Sequence, residues 1–443
     1  MLYKYFCFIF YKLPVLDEYR NHGLYHILKE YYRDIKSFKN WVNYFFSVFR
    51  LIEKSKKNKD FPKMLPYDLL IISGTVNNQR SVQNIEQKGL NVSFYEITNI
   101  DDYSIIKRYQ YSFIFLFILF FYFLITTRQN RLRINKNFEW FFLVPGYLYI
   151  TKKIIKGYNP KVILLSNDHM PFNRCMMYWA KRKKIKLIYV QHASVSQYFP
   201  PLDFDFSFLD GEESYQKYSI KSDGFVKNVI IGGAARFDLS KKINNISKKQ
   251  AIGIALNSLD DITVVSLFIT NLKQKLPNYQ FIVRPHPRMN LSIDSFPDNI
   301  DISDSKKEKP HTFFNRIDVL VACDSSIHFD AVSLGVPSYY YNFNQSNDIL
   351  DYYSYIKNGL IKKIDKISEF AKEITENKLY ICNNHILGYY NASYLGTSEY
   401  DINIIIKEII SNIIRNKSID DILEKYFSKT LCQNNNIYRI KRS

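Results

Sequence analysis

The chain has 443 residues, 47% of them hydrophobic, and a formal net charge of +19 from 61 Lys and Arg against 42 Asp and Glu. This length and apolar content exclude a disordered polymer and a single small core, and point to two domains. The charge favours anionic partners such as phosphates, acidic glycans, anionic lipids or nucleic acid. A mixture rich in Lys, Asn, Ile and Tyr is equally what an AT-rich genome produces. The five cysteines (Cys7, Cys175, Cys323, Cys382 and Cys432) are scattered and form no CxxC pair. They exclude a disulfide scaffold or zinc ribbon and fit a reducing compartment.

In chain order, the opening MLYKYFCFIFYKL is apolar but short and lacks a small-residue cleavage site, so it is not read as a signal peptide. Residues 1–60 read as an aromatic, basic, helical extension, and 53–66 as a linker. YDLLIISG (67–74) and NVSFYEITN (91–99) read as strands. YSFIFLFILFFYFLITT (111–127) follows. Its unbroken apolar core, 113–125, falls short of the roughly 20 residues of a spanning helix. Lys107, Arg108, Arg128, Arg131 and Arg133 flank it, and Phe and Tyr crowd it. Aromatics between cations are what a membrane interface selects, so docking on a membrane surface is the first expectation. A buried helix and a true span are the other readings.

From residue 161 the pattern becomes regular. KVILLSND (161–168), KLIYVQH (186–192), FDFSFLDG (204–211) and NVIIGGAARFD (228–238) read as strands leading into polar loops, with helices over 173–184 and from Glu212. A second series reads ITVVSLFI (262–269) as a strand and 270–276 as a helix. YQFIVRPHP (279–287), NIDISD (299–304), DVLVACDSS (318–326) and VPSYYYNF (336–343) follow as strands. From 411 the tail reads as helix and then disorder. Alternating strands and helices imply parallel sheets with crossover helices. The expected fold is therefore α/β, with two Rossmann-like domains over 61–240 and 241–410, a cleft between them, and a C-terminal helix and tail over 411–443.

Parallel sheets bind ligands beyond the carboxyl ends of their strands, and the polar clusters fall there. In RPHPR, Arg284 and His286 can hold a phosphate while Pro287 stiffens the loop; a surface turn is the plainer reading. In DSSIHFDA, Ser325 and Ser326 are expected to cap a helix whose start faces an anion, with Asp324, His328 and Asp330 reaching a sugar or polyol hydroxyl. An ordinary N-cap with nothing bound is the alternative. In QHAS, His192 is the candidate general base, with Asp210 and Glu212 of LDGEES as rivals. In IGGAARFD, Gly233 and Arg236 follow a strand, where glycine permits close backbone approach. Asp260 and Asp261 read as a loop or cap before a strand. There is no Walker lysine loop, HExxH or GxSxG.

The order QHA, GGAARFD, RPHP, DSSIHFDA and GVP resembles bacterial GT-B transferases of surface-polymer assembly, over roughly residues 160–345. The patterns are similar to those of CDP-glycerol glycerophosphotransferases of teichoic acid synthesis and of capsule polysialyltransferases. In the first family a histidine in a Trp-His-Gly-Thr stretch is the base. His192 stands there, but Gln191 and Ala193 depart from the pattern. Arg284, His286 and Pro287 match the family's donor-phosphate motif. Asp324, Ser325, Ser326, Phe329 and Asp330 match its Asp-Tyr-Ser-Ser and Phe-Asp stretch, with Cys323 and Asp324 altering the start. Gly233 to Asp238 resembles a Gly-x-Pro-Arg-x-Asp turn with Ala235 in place of proline.

The resemblance implies a GT-B-like fold and a metal-independent transferase with no cofactor. It implies a nucleotide-activated donor, cytidine type favoured and UDP second, and a lipid-linked or anionic glycan acceptor. The product would be capsular or other cell-surface polysaccharide, made in the cytoplasm by an enzyme peripheral on the inner face of the cytoplasmic membrane. Two other readings stand beside it: a nucleotide-sugar 2-epimerase of the same fold, and a non-enzymatic basic protein binding polysaccharide or nucleic acid. No nucleic-acid-binding motif accompanies the charge, so nucleic acid is not an expected partner.

Overall fold

The computed structural model describes residues 66–441 apart from short internal stretches, the longest being 219–225, 238–248, 290–295 and 345–350, together with 46 and 48–50. The expected extension over 1–60 and linker over 53–66 thus lie almost wholly outside the described residues. The chain separates into two compact units. Unit 1 comprises Met1–His192, Gln197–Arg236 and Gly396–Ser443, and unit 2 comprises Ala193–Ser196 and Phe237–Leu395.

Unit 1 begins with β1 (Leu69–Ser73), α1 (Val76–Val82) and β2 (Val92–Glu96), followed by α2 (Asp102–Ile125) and α3 (Phe138–Tyr158). Then come β3 (Val162–Leu165), α4 (Pro171–Arg182), β4 (Lys186–Val190), β5 (Phe206–Leu209), α5 (Glu212–Lys217) and β6 (Asn228–Ile231). β1 and β3 are buried at every residue, as expected of parallel strands covered on both faces.

Unit 2 holds β7 (Ala251–Ala255), α6 (Ile262–Lys275), β8 (Gln280–Arg284), β9 (Ile300–Ile302) and α7 (Pro310–Phe314). β10 (Val319–Ala322), α8 (Ile327–Ser333), β11 (Ser338–Tyr340), β12 (Lys362–Lys363), α9 (Ile367–Thr375) and α10 (Asn384–Tyr390) complete it. Here the structure corrects the reading of 262–269 as a strand. Val265, Phe268, Ile269 and Leu272 are buried at helical spacing, and the Asp261 carboxylate caps the helix by accepting from the N–H of Thr263 at 2.8 Å. The strand that opens unit 2 is the short run AIGIA ahead of it.

The C-terminal segment also departs from expectation. α11 (Ile402–Ile414) buries one isoleucine face, and α12 (Asp420–Tyr426) leads into a hairpin of β13 (Phe427–Cys432) and β14 (Asn435–Ile440). β14 pairs in parallel with β6, so the tail is an ordered part of unit 1.

The unit 1 sheet runs β13-β14-β6-β5-β4-β3-β1-β2, parallel except for the terminal hairpin. The unit 2 sheet runs β12-β11-β10-β7-β8-β9 and is parallel throughout. The class is α/β with two Rossmann-like sheets. In each sheet the chain builds outward in one direction and then restarts on the other side of its first strand. This creates a switch between β1 and β3 in unit 1, and between β7 and β10 in unit 2. Diverging loops open a crevice at such points, beyond the carboxyl ends of the two strands.

Candidate functional site

At the unit 2 switch, β7 runs out into Asn257 and Asp260, and β10 into Cys323, Asp324, Ser325 and Ser326. The Asn257 N–H donates to Asp260 Oδ2 at 2.8 Å, and its side-chain amide reaches the Asp324 carbonyl at 3.4 Å, joining the two loops. The Asp324 carboxylate accepts from the N–H of Tyr352 at 3.1 Å and from the Tyr340 hydroxyl at 3.4 Å. Burial pushes the Asp260 carboxyl up to about 7, and the Asp324 charge adds to the effect. Burial also raises Asp324, and lifts the Cys323 thiol to about 12. Among the described residues, neither carboxyl is in an ion pair.

The sequence pattern assigns Asp260 to a loop or cap. In the structure that role belongs to its neighbour Asp261, while Asp260 is a buried, proton-holding acid. The signal that could have found it is the helical spacing of 262–275, which moves the preceding acids to a strand end.

Ser325 Oγ accepts from the N–H of Ile327 at 3.4 Å. Ser326 occupies the N-cap of α8 without a side-chain bond. Both serines are partly exposed, as is Asp330. α8 has only seven residues, so the anion attraction expected of a helix start is weak. His328 departs from expectation altogether. It is 1% exposed, and its ring is wedged between the Ser338 hydroxyl (Nδ1, 2.7 Å) and the Cys323 carbonyl (Nε2, 2.8 Å). The carbonyl can only accept, so Nε2 carries the proton and Nδ1 accepts from Ser338. Burial lowers the imidazole to about 4, keeping it neutral. His328 is a core group tying α8 to β10 and β11, and it does not reach a ligand hydroxyl.

β8 lies beside β7 and ends in the RPHP loop. The Arg284 guanidinium is buried, donating to Ser303 Oγ at 2.6 Å and to the Glu308 carbonyl at 2.8 Å, over the Phe313 ring. It clamps the loops after β9 to the end of β8. His286 and Pro287 stand beyond it and are partly exposed and exposed respectively. Arg288 lies outside the described residues.

In unit 1, Gln191 at the end of β4 is buried. It donates to Ser214 Oγ at 2.9 Å and accepts from the Asp210 N–H at 3.0 Å. This pins β4 to β5 and α5 and leaves His192, half-buried, as the next side chain along the loop. The rival bases are committed elsewhere. Asp210 is buried and pairs with Arg236 Nη1 at 2.6 Å. Glu212 makes a two-point contact with Arg439 of β14, at 2.9 and 3.0 Å. Gly233 adopts φ 109°, a left-handed conformation that disfavours any side chain. Beneath these strand ends the Tyr189 hydroxyl meets Tyr218, and the Tyr218 hydroxyl donates to Asp168 at 3.1 Å. Asp203 pairs with Lys181 and Lys227. Among the described residues, no three His, Cys, Asp or Glu side chains gather as a metal site requires.

No protein-family model matches the chain, and no curated protein does. Solved structures are similar at low identity. They include a UDP-GlcNAc 2-epimerase from Neisseria meningitidis bound to UDP-GlcNAc, at 14% identity and TM-score 0.49, covering 79% of this chain and 100% of that one. The wall teichoic acid polymerase TagF is similar at 11% identity and TM-score 0.48, covering 88% of this chain and 98% of that one. The glycotransferase of kitacinnamycin is similar at 10% and 0.42, covering 81% and 96%. The functional reading rests on the strand ends rather than on these likenesses.

Proposed function

We propose that the chain is a transferase that uses a nucleotide-activated donor to build a cell-surface polymer. The observation that carries the reading is the unit 2 switch. Three adjacent strands, β10, β7 and β8, deliver Ser325 and Ser326, Asn257 and Asp260, and His286 to one edge of the sheet. That is the edge where α/β sheets hold nucleotides. In this reading Ser325, Ser326 and His286 contact the donor phosphate. Arg284 and His328 act beneath them, holding loops in place. His192 in unit 1 is the base that takes the acceptor hydroxyl proton, because Asp210 and Glu212 are held by arginines. The donor is of cytidine type, with UDP second; the acceptor is a lipid-linked or anionic glycan, and the reaction proceeds without metal.

A nucleotide-sugar 2-epimerase is the second reading. It is favoured by Asp260, whose carboxyl is raised to about 7 by burial, since such chemistry needs acid and base groups at the sugar.

Thermal denaturation with CMP, CDP, UDP, GDP and CDP-glycerol, without metal, on wild type and His286→Ala, tests this. A ligand that binds only the folded state raises Tm. The transferase reading requires a cytidine nucleotide to stabilise wild type and to lose that effect in the variant. A response to UDP alone moves the chain to the second reading. No response to any nucleotide overturns both. His192→Ala is expected to abolish turnover while keeping the nucleotide response; retained turnover removes His192 from its role.

A further inference from the structure

α2 is apolar on two faces, and the described residues bury only one. Tyr109, Ser112 and Leu119 are buried against α3, with Phe142 and Val144 beneath them. The other face presents Ile114, Phe117, Phe120, Phe121, Leu124 and Ile125, which are 55–84% exposed. Phe49, which stacks on Phe113 at 5.5 Å, extends the patch and is also exposed. So many large apolar groups in one row are far more than a solvated helix ordinarily shows.

Charge indicates what covers the row. Lys107 and Arg108 stand at one end, and the exposed Arg128 and Arg131 at the other. Asp102 and Glu139 are the only acids in α2, α3 and α4. Apolar side chains bordered by cations and aromatics match an anionic lipid surface, where the side chains enter the acyl boundary and the cations meet headgroups.

By length and composition Lys107–Ile125 could cross a bilayer. The packing argues against it. α3 shields the opposite face, and α3 packs in turn on α4, which carries Lys181 and Arg182. A crossing would strip that face or drag cationic helices into hydrocarbon. We infer that α2 lies in the plane of an anionic membrane, inserting its Ile114–Ile125 face while the opposite face stays packed on unit 1. This holds whatever reaction the strand ends perform.

The test uses the full chain with vesicles of phosphatidylglycerol and phosphatidylcholine in equal parts, without nucleotide, so it stands apart from the donor reading. Wild type is expected to co-sediment, and Phe117→Ser/Phe121→Ser to bind about thirtyfold more weakly with an unchanged Tm. With the accessible cysteines replaced, Gln110→Cys and Thr127→Cys, at the two ends of the helix, should both react with an impermeant maleimide added outside loaded vesicles. Equal binding by wild type and variant means charge alone, and overturns the inference. Protection of one end means a span, and overturns it too. A wild-type dimer that the double variant disperses, with no vesicle binding by either, assigns the face to a second copy.

Discussion

Beyond the carboxyl ends of the unit 1 strands, acids meet bases: Asp210 pairs with Arg236, Glu213 with Lys217, and Glu212 with Arg439. At those of unit 2, the buried Asp260 and the partly buried Asp324 lie near a thiol and a phenol, with raised carboxyl values and no ion pair among the described residues. The two sheets share a topology, yet in the first the acids are held by counter-charge, whereas in the second burial raises Asp260 to about 7 with no ion pair among the described residues. The first solution fixes geometry; the second leaves Asp260 able to accept or release a proton near neutral pH. On the proposed function, that difference would make unit 1 a scaffold around His192, and unit 2 the edge that takes the donor.

The largest expected effect follows from the first solution. Arg236→Ala leaves the Asp210 carboxylate buried without its partner, which is expected to cost about 3–5 kcal/mol. Replacing both residues by Ala should cost less than the sum of the single changes, as thermal and denaturant unfolding would show. If Arg236→Ala leaves Tm in place and removes the nucleotide response, Arg236 serves a ligand instead, and the contrast between the units fails.

The second solution predicts a pH dependence of opposite origin. Asp260 has its folded value raised to about 7 from 3.8, so between those limits the folded state holds more protons than the unfolded state. Stability from this group is full near pH 4, falls as pH rises, and levels off above about 7. His328, lowered to about 4 from 6.5, contributes the opposite slope over its own range. Comparing Asp260→Asn with wild type at each pH cancels that slope. The variant should gain about 2–4 kcal/mol relative to wild type between pH 4 and 7.5. A pH-independent difference would show that the carboxyl is ionised throughout and would erase the contrast.

Much of the fold was legible because β3, β4, β5, β8, β10 and β11 are short apolar runs ending in polar loops. β7 escaped because ITVVSLFI carries β-branched residues that read as strand, although 265, 268, 269 and 272 fall on one helical face; with β7 went Asp260. The hairpin at 427–440 escaped because β13 is mostly exposed and polar, and its pairing with β6 bridges some two hundred residues. For the site, spacing showed which residues follow a strand but not what each side chain bonds. QHA, RPHP and DSS were visible. That Arg284 is held by Ser303 and Glu308, His328 by Ser338 and Cys323, and Asp210 by Arg236 depends on how separate strands and loops meet, which strand-end spacing does not reveal.

The smallest expected effect concerns the tail. Arg439 holds Glu212 from β14 and also lies over the Tyr215 ring at 5.2 Å, but the pair is roughly one-third exposed, so solvent screens it. Glu212→Ala is expected to cost about 0.5–1 kcal/mol, and less at high salt. The local effect is sharper than the global one. The β13–β14 edge should exchange amide hydrogens faster in the variant, while β3 and β4 keep their protection. If Glu212 were instead the base, the same substitution would leave exchange at β14 unchanged and abolish turnover. One variant therefore separates a strap on the scaffold from a catalytic carboxylate.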